Sequence, residues 1–222
     1  MFIPVDLKGF EQRTGIDRRG FAGSWTEADR IVSLRDITTV LAVQAMRRDY
    51  LQLLLESVTL AGDPTVRPFK GKRIQTLRMD PNGVMVGQAF IERQKYMDLL
   101  ERFPNVFKDF TMTKGIAKLT AQIVLGRTAD GEVVLAHYVP PIVEQHGDQM
   151  VLLDGVHRNF LILRSGTTVE TVLIRGVDAP FPATPQRWEV VKPVDAKPPV
   201  EERFFDLRQE FFRDVKSSGI DG

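Results

Sequence analysis

Asp154-Gly-Val-His-Arg158 gathers a carboxylate, a residue without a side chain, an imidazole and a guanidinium into one short run, followed at once by the amide of Asn159. Together they could grip a phosphate. Arg158 would clamp its oxygens, His157 would donate to them, Gly155 would let the backbone approach, and Asn159 would add a polar contact. Asp154 would orient a hydroxyl or a water, or hold Mg²⁺. The spacing also carries a conflict. With Asp154 as N-cap, residues 155–158 make the first helical turn, where negative side chains are favoured by roughly 0.3–1 kcal/mol, yet His157 and Arg158 stand there. Free N–H groups at such a turn suit an anion. The same residues also read as a plain cap followed by a solvated face.

The elements that must position this run are legible around it. Met150 to Leu153 is a short apolar run with strand character, and Phe160, Leu161 and Leu163 give the following segment an apolar helical face once Asp154-Gly155 has broken the strand. Upstream, Lys118 to Arg127 alternates, Ala129-Asp-Gly-Glu132 makes a tight turn, and Val133 to Val139 returns. Ile142-Val143 and Met150 to Leu153 flank His146-Gly147-Asp148 as a second hairpin. The prediction is one mixed sheet from about Lys118 to Arg175, with the 155–164 helix packed on it. Glu144 and Asp148, near the strand end, are secondary candidates for a metal or a base. His137 and His146 read as ordinary strand and turn residues, because neither has metal-ligand spacing with another His or a carboxylate cluster.

The run Pro141 to Arg158, with its helix, Ser165-Gly166 and the strand-like Val169 to Arg175, resembles the ParB/sulfiredoxin superfamily. In that superfamily a G-x-x-R turn after a strand opens a helix and forms a nucleotide pocket, and Gly155 and Arg158 match its two characteristic positions. His157-Arg158 is similar to the His-Arg pair of sulfiredoxins, and Asp154-Gly155-x-x-Arg158 to the D-G-x-x-R of the free-serine-kinase and restriction-system NTPase branches. The departures are informative too. Sulfiredoxins place their catalytic cysteine where this chain has Val156, and the chain has no cysteine, which excludes thiol reduction. Partition proteins carry G-E-R-R where Gly155-Val-His-Arg158 stands, and follow it with a helix-turn-helix domain for which the remaining chain leaves little room.

Composition bounds the rest. At 43% hydrophobic and 27% charged residues over 222, the chain has the make-up of a globular protein with room for one large or two small domains. A net charge of +1 gives no global pull toward nucleic acid or membrane. The amino-terminal residues do not read as a signal peptide and no run approaches a membrane span, so the expectation is a cytoplasmic protein without a membrane partner.

Residues 1–24 hold Gly9, Gly15, Gly20 and Gly23 with Arg13, Arg18 and Arg19, and read as an irregular arm. Thr26-Glu-Ala-Asp29 resembles a capping box and predicts a helix through Ser33. From Ile37 to Leu60 apolar residues recur at spacings of three and four, which predicts one long helix able to form a core or a homo-oligomer interface. Arg67, Lys70, Lys72, Arg73 and Arg78 form the best nucleic-acid candidate, although Phe69 is the single aromatic among them and a charged loop with an edge strand accounts for them better. A second helix is predicted from Gln88 to Phe103, closed by Pro104. Asp178 to Pro185 and Lys192 to Pro199 read as stiff, extended wraps, and Val200 to Lys216 as a terminal helix burying Phe204, Phe205, Phe211 and Phe212.

These readings predict an α+β protein in three parts: a helical region at 1–112, a ParB/sulfiredoxin-like domain at 113–178, and a Pro-rich wrap with a terminal helix at 179–222. The resemblance implies a nucleotide partner, ATP or CTP with Mg²⁺, and either NTP hydrolysis or phosphoryl transfer. The alternative is a non-enzymatic module that uses the same fold, the basic segment and the phenylalanine-rich tail to bind nucleic acid or protein. Nuclease activity ranks below both, for want of a carboxylate cluster.

Overall fold

The computed structural model describes residues 2–17, 27–163 and 165–220. Its contacts divide the chain into two units: Met1–Gly71, Thr120–Val139 and Arg213–Gly222 build one, Lys72–Leu119 and Pro140–Phe212 the other. The predicted boundaries at 112 and 178 are therefore corrected, because the chain leaves each unit and returns to it.

Along the chain, β1 (Val5–Asp6) and α1 (Leu7–Thr14) form in the stretch read as an irregular arm. The Asp6 carboxylate caps α1 by accepting the Gly9 N–H at 2.6 Å, Gly15 closes it at φ 73°, and Leu7 and Phe10 are buried. Arg18, Arg19, Gly20, Gly23 and Thr26 lie outside the described residues. β2 (Arg30–Ile31) stands where a helix through Ser33 was predicted, and a 3₁₀ turn follows at Leu34–Asp36. The single long helix is corrected as well. β3 (Thr39–Ala45) precedes a shorter α2 (Arg48–Glu56). Thr39, Val40 and Val43 are β-branched and suit a pleated strand, and the partner strand that holds them lies far along the chain, beyond the reach of local periodicity.

Next come β4 (Arg73–Met79), β5 (Met85–Val86), β6 (Phe90–Glu92), α3 (Arg93–Val106) and α4 (Lys108–Lys114). α3 thus begins after Gln88 and passes Pro104, where the sequence predicted its end. β7 (Gln122–Arg127) and β8 (Val133–Tyr138) form the first predicted hairpin, β9 (Ile142–His146) and β10 (Gln149–Asp154) the second. α5 (Val156–Leu163) and β11 (Val169–Arg175) follow, and then β12 (Lys192–Val194).

The terminal helix predicted over Val200 to Lys216 is replaced by 3₁₀ turns at Val200–Glu202 and Gln209–Phe211. Its backbone groups pair elsewhere. The Arg203 carbonyl accepts the Ala89 N–H and the Phe205 carbonyl the Thr184 N–H, each at 2.8 Å, and Asp206 takes a left-handed conformation at φ 50°. The rings are less buried than predicted: Phe205 is 44% exposed and Phe204, Phe211 and Phe212 are half-buried.

In the first unit the described strands form a sheet in the order β1-β2-β8-β7-β3, with the β7–β8 hairpin extended by antiparallel β3. In the second, the order is β4-β11-β9-β10-β5, a mixed sheet in which β11 runs parallel to β9 and β5 parallel to β10. The fold is α+β with mixed sheets. The two hairpins do not share one sheet, so the single sheet predicted from Lys118 to Arg175 is corrected. Alternation identifies a strand and a tight turn fixes its hairpin partner, but neither says which sheet the hairpin joins. α5 packs through Val156, with Phe160 and Leu163, on a core of Val86, Ile91, Val143, Leu152, Leu173 and Trp188. Burying each large side chain there contributes roughly 1.5–3 kcal/mol, which anchors the first turn of α5 to the sheet. Among the described residues no helix is long and apolar enough to cross a membrane.

Candidate functional site

β10 ends at Asp154, with a register irregularity against β9 between Leu152 and Asp154. Gly155 then turns the chain at φ 90°, and a Cβ on it would lie 2.9 Å from Cα of Pro141. Both conformation and space therefore require glycine. The Gly155 carbonyl accepts the Asn159 N–H at 2.9 Å, which makes Gly155 the cap position of α5 and corrects the assignment of that position to Asp154.

The Asp154 carboxylate meets Arg158 instead, Oδ2 to Nη2 at 2.9 Å, with the two side chains 12% and 10% exposed. Arg158 is thus no solvated arm: it is a buried cation neutralised by its neighbour one turn back. This ion pair resolves the helix-dipole conflict, since the carboxylate offsets a positive charge that the helix start disfavours. Asn159 is buried at 1% exposure, and its Nδ2 donates to the Gly155 carbonyl at 3.2 Å, so its amide fastens the turn. The His157 Nε2 accepts the Glu92 N–H at 3.2 Å, which places a proton on Nδ1 of the neutral ring and ties α5 to the end of β6. The predicted residues are therefore brought together, but largely facing one another.

The strip from Gln88 to Lys95 brings in residues that the sequence did not single out. The Lys197 Nζ donates to Gln88 Oε1 at 3.2 Å, Ala89 holds the Arg203 backbone, and Lys95 pairs with Glu92 at 3.3 Å. β12 lies parallel to β6, so the Pro-rich wrap delivers Lys197 to this strip. Burial, with the charges of Lys95 and Arg203, pushes the Lys197 amine down to about 8, while Glu92 and Asp154 oppose the shift. Lysine, arginine and the carboxylates of Glu92 and Asp154 thus share one electrostatic neighbourhood at the motif turn. No signal along the sequence marks Lys197, because its position depends on where the wrap crosses β6.

The remaining candidates stand apart. Glu144 is fully buried on the middle strand of its sheet, and its Oε2 lies 2.7 Å from Nε2 of His146. Asp148 is exposed in the β9–β10 turn, at the opposite end of β10 from Asp154. Among the described residues no group of three or more His, Cys, Asp or Glu could hold a metal ion, and Asp154 is engaged by Arg158. The residues present do not fit a resident Mg²⁺. The cavity lined by Gln88, Leu153 and Val156 measures about 70 Å³, well below the roughly 300–1,000 Å³ of small-molecule pockets.

The basic segment is divided. Arg67 and Lys70 belong to the first unit, where Arg67 Nη2 donates to the Arg13 carbonyl at 3.2 Å; Lys72, Arg73 and Arg78 belong to the second, where Lys72 pairs with Asp178 at 2.5 Å. Phe69 is completely buried and offers no ring for stacking on a base. No protein-family model, no curated protein and no solved structure matches this chain.

Proposed function

We propose that this protein binds a nucleotide through its phosphates at the carboxyl end of β10 and is a ParB/sulfiredoxin-like protein that hydrolyses an NTP or transfers its phosphoryl group. The observation that carries the reading is Gly155, which φ 90° and the close approach of Pro141 make obligatory at a strand-to-helix turn. Such a turn directs the backbone N–H groups that open the helix past the end of the strand, where an anion is favoured. In this reading Asp154, Arg158 and Asn159 are positioning residues: they hold the turn, and backbone groups with His157 meet the phosphates. Catalysis would rest on positioning and charge compensation.

Calorimetry of the full chain with ATP, CTP, GTP and ADP, each with and without Mg²⁺, tests it. The expected result is submillimolar binding of at least one nucleotide. No binding of any of them at millimolar concentration overturns it and favours the nucleic-acid- or protein-binding module.

A further inference from the structure

We infer that Lys197, Lys95 and Arg203 form the cationic clamp for the phosphates of an anionic ligand at the 154–158 turn. As a clamp for a nucleotide, this rests on the function proposed above.

The sequence assigned the clamp to Arg158, but Arg158 is buried and its charge is met by Asp154 at 2.9 Å. A polyphosphate carries several negative charges and needs cations from another source. Three stand along one strip, from three elements, with the Arg203 Nε donating to the Pro198 carbonyl at 2.6 Å. Lys95 stands in the first turn of α3, Lys197 follows β12 on the wrap, and Arg203 follows the 3₁₀ turn at Val200–Glu202. The strip Gln88 to Glu92 organises them. Gln88 Oε1 accepts from the Lys197 Nζ at 3.2 Å, and the Ala89 N–H donates to the Arg203 carbonyl at 2.8 Å. The Glu92 carboxylate takes Lys95 at 3.3 Å while its own N–H reaches His157 on α5 at 3.2 Å. The clamp is thereby tied to the first turn of α5 through a single residue.

Burial, and after it the charges of Lys95 and Arg203, push the Lys197 amine down to about 8 against the opposing pull of Glu92 and Asp154. A bound anion beside Lys197 would favour its charged form.

The pH response follows with a definite sign. The groups acting on Lys197 are Lys95, Arg203, Glu92 and Asp154, beside the neutral Gln88. Lys197 loses its charge as pH rises through about 8. Phosphate binding should therefore weaken between pH 7.5 and 9.5, a range in which phosphate second ionisations, near 6, are complete.

The test is calorimetry of the full chain with ATP, and separately with inorganic tripolyphosphate, for wild type, Lys197→Met and Lys197→Arg. Thermal unfolding verifies that each variant folds. Wild type should bind ATP roughly tenfold more weakly at pH 9.5 than at 7.5, the size of one charge-assisted contact. Lys197→Met should lose about tenfold at pH 7.5 and show no further loss at 9.5. Lys197→Arg should bind at both pH values, since a guanidinium stays charged. Equal ATP affinity of wild type and Lys197→Met overturns the clamp and leaves the nucleotide reading standing. Tripolyphosphate binding that depends on Lys197 without any nucleotide binding keeps the clamp and removes the nucleotide reading. Binding of neither probe removes both.

Discussion

Arg158 shows how a residue's role follows from what surrounds it. Read along the chain, it is a cation at a helix start, suited to a phosphate; in the fold, it is one half of a buried pair with Asp154, both side chains near 10% exposed at 10% and 12%. Removing one partner of a buried pair leaves an uncompensated charge and costs about 3–5 kcal/mol. Arg158→Ala should therefore destabilise the protein by about that much in urea unfolding, rather than leave folding untouched as a solvated residue would. Arg158→Ala combined with Asp154→Ala should cost less than the two singles added together, because no stranded charge remains. Additive losses would show that the pair does not form. Gly155 behaves differently. Its glycine identity was legible, and the fold supplies the reason, a positive φ against Pro141.

At the scale of elements, hairpins and the motif helix were legible, since tight turns and alternation are local properties. The α5 helix and β11 strand formed where patterning placed them. β3 and the tail were not legible. Thr39–Ala45 pairs with Gln122–Arg127 across a long stretch of chain, and a window of apolar residues at spacings of three and four cannot distinguish that strand from a helix. The carboxyl-terminal residues are held by tertiary contacts rather than by helix propensity. Leu60 bridges Arg213, the Asp214 N–H reaches the Thr59 carbonyl at 2.8 Å, Ser57 Oγ donates to Ser218 Oγ at 3.0 Å, and Ile220 is 1% exposed. Ending the chain at Phe212 should lower the melting temperature of the first unit, the loss of Ile220 alone costing about 1.5–3 kcal/mol. An unchanged melting temperature would show this segment to be dispensable.

For the whole molecule, stability against pH carries a distinct contribution from the first unit. His137 is 2% exposed with its Nε2 2.9 Å from the Tyr50 hydroxyl, and burial pushes the imidazole from 6.5 down to about 4. As pH falls through 6.5 the unfolded chain takes up a proton that the folded chain refuses until about 4. Stability is therefore lost across that window, on the order of 3 kcal/mol, and levels off below it. Urea unfolding at intervals from pH 7 to 4 should show this slope in wild type and a smaller one in His137→Gln. Identical slopes would mean that His137 titrates normally in the folded state.

Residue types, turns and amphipathic periods were sufficient to find the α+β class, both hairpins and the 154–159 turn, because each is set by interactions within a few residues. Arrangement was a different matter. Two units interleaved from five stretches of chain, a pair of hairpins parted into separate sheets, and Lys197 brought beside Gln88 by a Pro-rich wrap all depend on contacts between residues far apart in sequence. Long-range pairing is chosen by how surfaces fit once they meet, and that information is spread over the whole chain rather than written at any one position.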